Sequence, residues 1–167
     1  MDTATSPSLT EEFREVMAGV CTPVSVVTTI EGTRPHGTTV SAFASLSMTP
    51  PMVLVALDRG SELLALLGAT GRFGVNVLGS AQADLAVRFA GKGKAKFDGV
   101  PWTLAHGVPR LSRVPGWLAC TVDKFVEGGD HVIALGLVVA AERRAGPPLT
   151  YHARSFGTHT TAGGKSA

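Results

Sequence analysis

Two cysteines occur in 167 residues, Cys21 and Cys120, far apart and in no C-x-x-C pair. That excludes a disulfide scaffold and a cysteine-ligated zinc site. Charge is sparse as well. Charged residues make up 17% of the chain and leave a net +2, too weak an excess for nucleic acid to be the expected partner. Lys92, Lys94 and Lys96 fall close together, but no aromatic residues are interleaved with them, so a solvated cluster is the simpler reading beside a phosphate contact. No apolar run approaches the ~18 residues of a bilayer span, so no membrane partner is expected. Met1-Asp2-Thr3-Ala4 shows no basic-then-apolar layout of a secretion leader, and a cytoplasmic protein is the expectation.

The familiar catalytic signatures are missing too. His36, His106, His131, His152 and His159 form no HxH and no HExxH, so no metal site is expected. There is no GxSxG elbow for a hydrolase and no GxGxxG for a Rossmann domain. Gly91-Lys92-Gly93-Lys94 fails the spacing of a phosphate-binding P-loop.

What is present is a chain 44% hydrophobic, long enough for one domain with its own core. Residues 1–8 read as a flexible arm, 9–157 as the domain and 158–167, rich in Gly, Thr and Ser, as a disordered tail. Ser8 and Glu11 fit a capping box, and Leu9, Phe13, Val16, Met17 and Val20 recur at helical spacing. Strands are expected over 24–30, 37–42, 52–57 and 73–78, the third apolar enough to be buried on both faces. Ser61 is expected to cap a helix ended by Gly68 and Gly71, and Ser80 a helix ended by Gly91. A Gly/Pro-rich loop over 99–116 holds an exposed-looking Trp102. Two long strands, 117–126 and 131–141, are joined by Glu127-Gly128-Gly129-Asp130. Many short strands and few helices point to an antiparallel barrel or sandwich.

Two segments carry the chemistry. His36 to Leu57 opens with Thr38, Thr39, Ser41, Ser45 and Ser47, turns at Pro50-Pro51 and becomes wholly apolar. Small side chains let a ligand approach the backbone, and hydroxyl and N–H groups offer donors to phosphate or carbonyl oxygens. A plain Ser/Thr-rich strand and turn is the alternative. Gly129-Asp130-His131 delivers a carboxylate and an imidazole to the start of an apolar strand, where one ring nitrogen can face a ligand. A turn Asp and a strand-end His held by local hydrogen bonds is the alternative there.

With these segments, Phe73-Gly74-Val75-Asn76-Val77-Leu78, Lys96-Phe97-Asp98-Gly99 and Leu149-Thr150-Tyr151 follow in order. Over about residues 10–157 the chain resembles the flavin reductase family. The resemblance implies a mainly β, Greek-key split β-barrel of the FMN-binding type with a few short peripheral helices. It also implies a homodimer that passes hydride from NADH or NADPH to FMN or FAD. Reduced flavin would then reach a partner flavin-dependent monooxygenase by diffusion. By similarity, Thr39, Val40, Ser41 and Ala42 would line the flavin ring or its ribityl chain. Ser45, Leu46 and Ser47 would offer donors to the ring's pyrimidine edge. Asp58, Arg59 and Ser61 would begin the loop that binds the ribityl phosphate, and Arg88, Phe89 and Lys96 would approach the phosphate or an adenylate. His131 would take the nicotinamide side as the candidate catalytic-site residue, orienting rather than transferring protons. Tyr151 and Arg154 would stand at the entrance.

The chain departs from the family pattern at Ser41-Ala42, where relatives carry a second hydroxyl, and after Leu149, which bears on the choice between NADH and NADPH. Hydride transfer needs no triad or metal, because the reaction belongs to the cofactors. Two other functions fit the same fold: a non-catalytic flavin-binding carrier or sensor, and an oxidase of a phosphorylated heterocycle. The second would want more basic residues around its pocket than 15 spread along the chain offer.

Overall fold

The computed structural model describes residues 8–162. Its elements run α1 (Leu9–Ala18), β1 (Thr22–Pro23), β2 (Ser25–Glu31), β3 (Arg34–Val40), β4 (Phe43–Met48), β5 (Pro51–Asp58) and α2 (Glu62–Thr70). They continue with β6 (Arg72–Val77), α3 (Ala83–Ala90), β7 (Trp102–Ala105), β8 (Val108–Leu111), β9 (Gly116–Gly128), β10 (His131–Arg143), β11 (Leu149–His152) and β12 (Ser155–Thr158). Seven strands form one antiparallel sheet in the order β3-β2-β6-β9-β10-β5-β4. The sheet curls until β3 comes back against β5, which makes an open barrel of the expected mainly β kind. Residues 1–7 of the expected arm and 163–167 of the expected tail lie outside the described residues. Ser8 is the α1 cap, and Thr158 belongs to β12.

Two apolar cores sit on opposite faces of the sheet. Inside the barrel, Leu63 and Leu67 of α2 pack on Val27, Val55, Phe73, Val75 and Ala134. Outside it, Ala86 and Phe89 of α3 pack on Val26, Val108, Leu111 and Trp117. β2 lies between the two cores and is buried on both faces from Ser25 to Thr29. β5 was the strand expected to be buried twice. It instead alternates, with Val53, Val55 and Leu57 inward and Met52, Leu54 and Ala56 half-exposed, because among the described residues no layer covers its outer side.

Other expectations shift for local reasons. Ser61 precedes α2 without a side-chain cap bond, and Gly68 lies inside the helix. The helix ends at Gly71, whose φ of 66° is the left-handed conformation that suits glycine. Ser80 begins a single 3-10 turn, and α3 follows from Gln82 with no side-chain cap, so Ser80 does not cap it. The stretch 99–116 is not a plain loop. It folds as the β7–β8 hairpin, and Trp102 is half-buried edge-on against Phe97. Asn76 explains the hairpin's position: its side chain accepts from Leu111 N–H at 2.8 Å and donates to Val26 O at 3.2 Å. A buried amide satisfied on both ends fixes β8 to the sheet.

Candidate active site

The β3–β5 opening leaves a cleft. Thr38, Thr39, Val40, Ser41 and Ala42 form one wall, with Ala56, Leu57 and Asp58 opposite and Ser61 and His131 at the mouth, around about 230 Å³. It shares Thr39 and Ser41 with a wider hollow of about 400 Å³ lined by Ala86, Val87, Ala90, Tyr151, Arg154 and Phe156. At its other end it shares Thr38 and Ser61 with a narrow recess of about 90 Å³ lined by Arg34, His36, Lys94 and Lys96. The result is one trough along β3, apolar and aromatic at one end and cationic at the other.

The backbone explains the trough's shape. β3 ends at Val40, and Ser41-Ala42 turn the chain out of the strand, with Phe43 N–H on Ser41 O at 3.0 Å and Ala56 N–H on Ala42 O at 2.9 Å. Two small side chains at the turn leave room above the backbone. α3 is held against the same strand: Thr39 donates its hydroxyl to Ala86 O at 2.7 Å, and Lys96 Nζ donates to Gly37 O at 3.2 Å and Phe89 O at 2.8 Å. Gly37 lets the helix pack this closely, since a Cβ there would lie 3.0 Å from the Phe89 ring.

His131 opposes Asp58 across β5–β10 and Gly128 across the hairpin turn, which sets its ring at the mouth. Its Nδ1 is 2.8 Å from Asp130 Oδ1, and that hydrogen bond, with the charge of the imidazole, holds the Asp130 carboxyl below its usual range. Arg59 fastens the turn from the other side by pairing with Glu127 and donating to Gly129 O at 3.1 Å. In the recess, His36 is buried, 3.9 Å from both Glu31 and Glu62. Burial and then the charge of Arg34 depress its basicity against the pull of those carboxylates. Burial likewise lowers Lys96, whose ammonium keeps one of its three protons after the two carbonyl bonds.

The structure thus brings Thr39, Val40, Ser41, Ala42, Asp58, Ser61 and His131 together, with Tyr151 and Arg154 at one end and Lys96 at the other. Arg154 is also paired with Glu15 of α1. Six other residues stand apart from the trough. Ser45 and Ser47 pair with Val53 and Met52, so with Leu46 they lie about three residues, roughly 10 Å, beyond Ala56 along the β4–β5 edge. Arg88 donates to Asp98 O at 2.6 Å, away from the trough. Phe89 is fully buried in the outer core, and Arg59 serves the hairpin turn. Lining residues not assigned from sequence include Thr38, Ala56, Leu57, Ala86, Val87, Ala90, Phe156, Arg34, His36, Glu62 and Lys94. Thr38 and His36 stood in the quoted motif, whereas the α3 alanines and Ala56 carry no chemical signal. Only strand register and helix docking bring them here.

The trough suits a flat, phosphate-bearing heteroaromatic. Ala86, Val87 and Ala90 offer a smooth apolar floor beside the rings of Tyr151 and Phe156, while Lys94 and the remaining Lys96 proton face the recess at the other end. Combined, the hollows reach the ~300–1,000 Å³ typical of cofactor sites.

A family model described as "Flavin reductase like domain" matches residues 17–160. The reductase component of 4-nitrophenol 4-monooxygenase/4-nitrocatechol 2-monooxygenase from Rhodococcus opacus is 39% identical over 87% of this chain and 79% of its own. A "Flavin reductase (NADH)" from Kitasatospora aureofaciens is 38% identical over 87% of this chain and 80% of its own. Among solved structures, Streptomyces globisporus NADH:FAD oxidoreductase SgcE6, in complex with NAD and FAD fragments, superposes with a TM-score of 0.87. It is 31% identical and covers 95% of this chain and 98% of its own.

Proposed function

The chain belongs to the flavin reductase-like domain family, and from that premise we propose that it is an NAD(P)H-dependent flavin reductase supplying reduced FMN or FAD to a partner monooxygenase. The observation that carries the reading is the trough itself, with small residues at Ser41-Ala42, an apolar floor on α3, cations at one end and His131 at the mouth.

When bound, the flavin supplies the hydride-accepting ring and the nicotinamide supplies the hydride. The chain's own residues bind and orient. Ser41 and Ala42 allow a ring to lie close to the backbone, and Val87, Ala90 and Tyr151 exclude water from its face. Ser61, Lys96 and Arg154 serve the anionic parts. Ser45, Leu46 and Ser47, further along the same edge, serve the distant rim of a long ring system. His131, steadied by Asp130, holds the nicotinamide side. Bringing reacting atoms to ~3–3.5 Å is the main service the site performs, and it requires neither a nucleophile nor a metal. The electron donor is NADH or NADPH, and the reduced product leaves to reach the oxygenase.

A homodimer completes the proposal. The trough is open on one side, and the apolar residues of α1 beside it, Phe13, Val16 and Met17, are all exposed. Among the described residues no helix is long and apolar enough to cross a membrane, and operation in the cytoplasm, with diffusible nicotinamide, is part of the same reading.

The test is to mix purified protein with NADH, with and without added FMN or FAD, and follow nicotinamide absorbance. Rapid loss that depends on flavin is expected. Quenching of flavin fluorescence without NADH loss would favour a non-catalytic flavin carrier instead.

A further inference from the structure

A second cavity lies at the opposite end of β10 from His131, about eleven residues or roughly 35 Å along the strand, and takes no part in the function above. It is a hollow of about 270 Å³ between the β7–β8 hairpin and the ends of β9 and β10, where Trp117 faces Glu142 in register. Arg110, Arg113 and Arg144 line it, with Leu111 and Trp117. Arg110 is paired with Glu142 and stands 5.5 Å over the Trp117 ring. Arg113 and Arg144 have no ion pair among the described residues, so three guanidinium groups face a single carboxylate. Trp117 is 1% exposed, and its indole N–H has no hydrogen-bond partner in the structure.

Each observation asks for the same thing. A buried donor without an acceptor is rare in native proteins and marks a place where a partner belongs. Unpaired guanidinium groups present forks matched to carboxylate or phosphate oxygens. The remaining wall mixes Leu111, Val114 and the Trp117 indole with the hydroxyls of Thr103 and Ser112, which suits a small body with apolar surface rather than a bare ion. We propose that this pocket binds a small organic anion, with a carboxylate or phosphate head against Arg113 and Arg144 and an apolar body beside Leu111 and Trp117. It is a ligand site separate from the flavin trough.

Two tryptophans give two indole signals in a proton–nitrogen correlation spectrum of the full-length protein, and Trp102→Phe identifies which is Trp117. Benzoate is titrated at constant ionic strength, with inorganic phosphate and chloride as parallel arms. The expected result is a saturable shift of the Trp117 indole with benzoate, weakened at least tenfold in an Arg113→Ala, Arg144→Ala double variant. NADH:flavin turnover in that variant is expected to match wild type, and benzoate is expected to raise the melting temperature of wild type only. A shift that is linear, that chloride reproduces, or that the double variant retains would overturn the proposal. Phosphate binding as tightly as benzoate would also overturn it, by removing the apolar body from recognition.

Discussion

His131 and Asp130 share a hydrogen bond at the tip of a hairpin, in water, so its worth lies in aiming the ring rather than in stability. His131→Ala is therefore expected to raise the Michaelis constant for the nicotinamide cofactor several-fold, while kcat at saturating cofactor and flavin affinity stay within about twofold. Steady-state kinetics against NADH, with flavin binding measured separately, checks this. Loss of turnover at saturation with flavin binding intact would assign the ring a chemical part. His36 makes a different prediction, because burial lowers its basicity. The unfolded chain takes up this proton near the ordinary value of about 6.5, and the folded chain only at lower pH. His36 therefore costs no stability above that value, and stability is lost as pH falls below it toward the depressed folded value. Melting temperatures of wild type and His36→Gln are expected to converge in their pH dependence above pH 7. Below about pH 6.5, wild type is expected to fall more steeply. The His131 position could be read from Gly129-Asp130 preceding an apolar strand. The burial of His36 could not, because Glu62 and Lys94 reach it from other parts of the chain.

Strands and helices meet at contacts that single substitutions can probe. Thr39 ties β3 to α3 through its hydroxyl on Ala86 O, and valine keeps its shape without the donor. Thr39→Val is expected to cost about 1 kcal/mol, measured by urea unfolding, and to weaken flavin binding because the trough's floor shifts with α3. Gly136 of β10 is more demanding, since a Cβ there would lie 2.4 Å from Phe73 Cζ and 3.1 Å from Cys120 Cβ. Gly136→Ala is expected to lose about 1–3 kcal/mol as the inner core moves aside, read as a lower urea midpoint at unchanged slope. Elements with strong periodicity or a β-branched run, such as α1, β2 and β9, were legible in the sequence. The β7–β8 hairpin was not. Its four-residue strands sit in Gly/Pro-rich sequence, and their pairing is secured by Asn76, a residue 35 positions before Leu111. β4 was hidden likewise among Ser and Thr residues that suit a turn as well as an edge strand.

At the scale of the whole molecule, the exposed apolar side of α1 and the open trough beside it give the strongest prediction. Light scattering is expected to show twice the 17.2 kDa chain mass. Phe13→Ser with Met17→Ser is expected to shift the protein toward monomer and weaken flavin binding at least tenfold, with the circular dichroism of the barrel retained. A monomeric wild type of full activity would refute the paired arrangement. Composition and alternation by themselves pointed to a mainly β fold, and the ordered motifs carried the resemblance to this family, because those signals live within a few residues of one another. Which hydroxyls border the trough, that Phe89 is core and that Arg59 serves a turn were decided only by the tertiary structure. Strand register and helix docking set those distances, and they depend on burial between residues far apart in the chain.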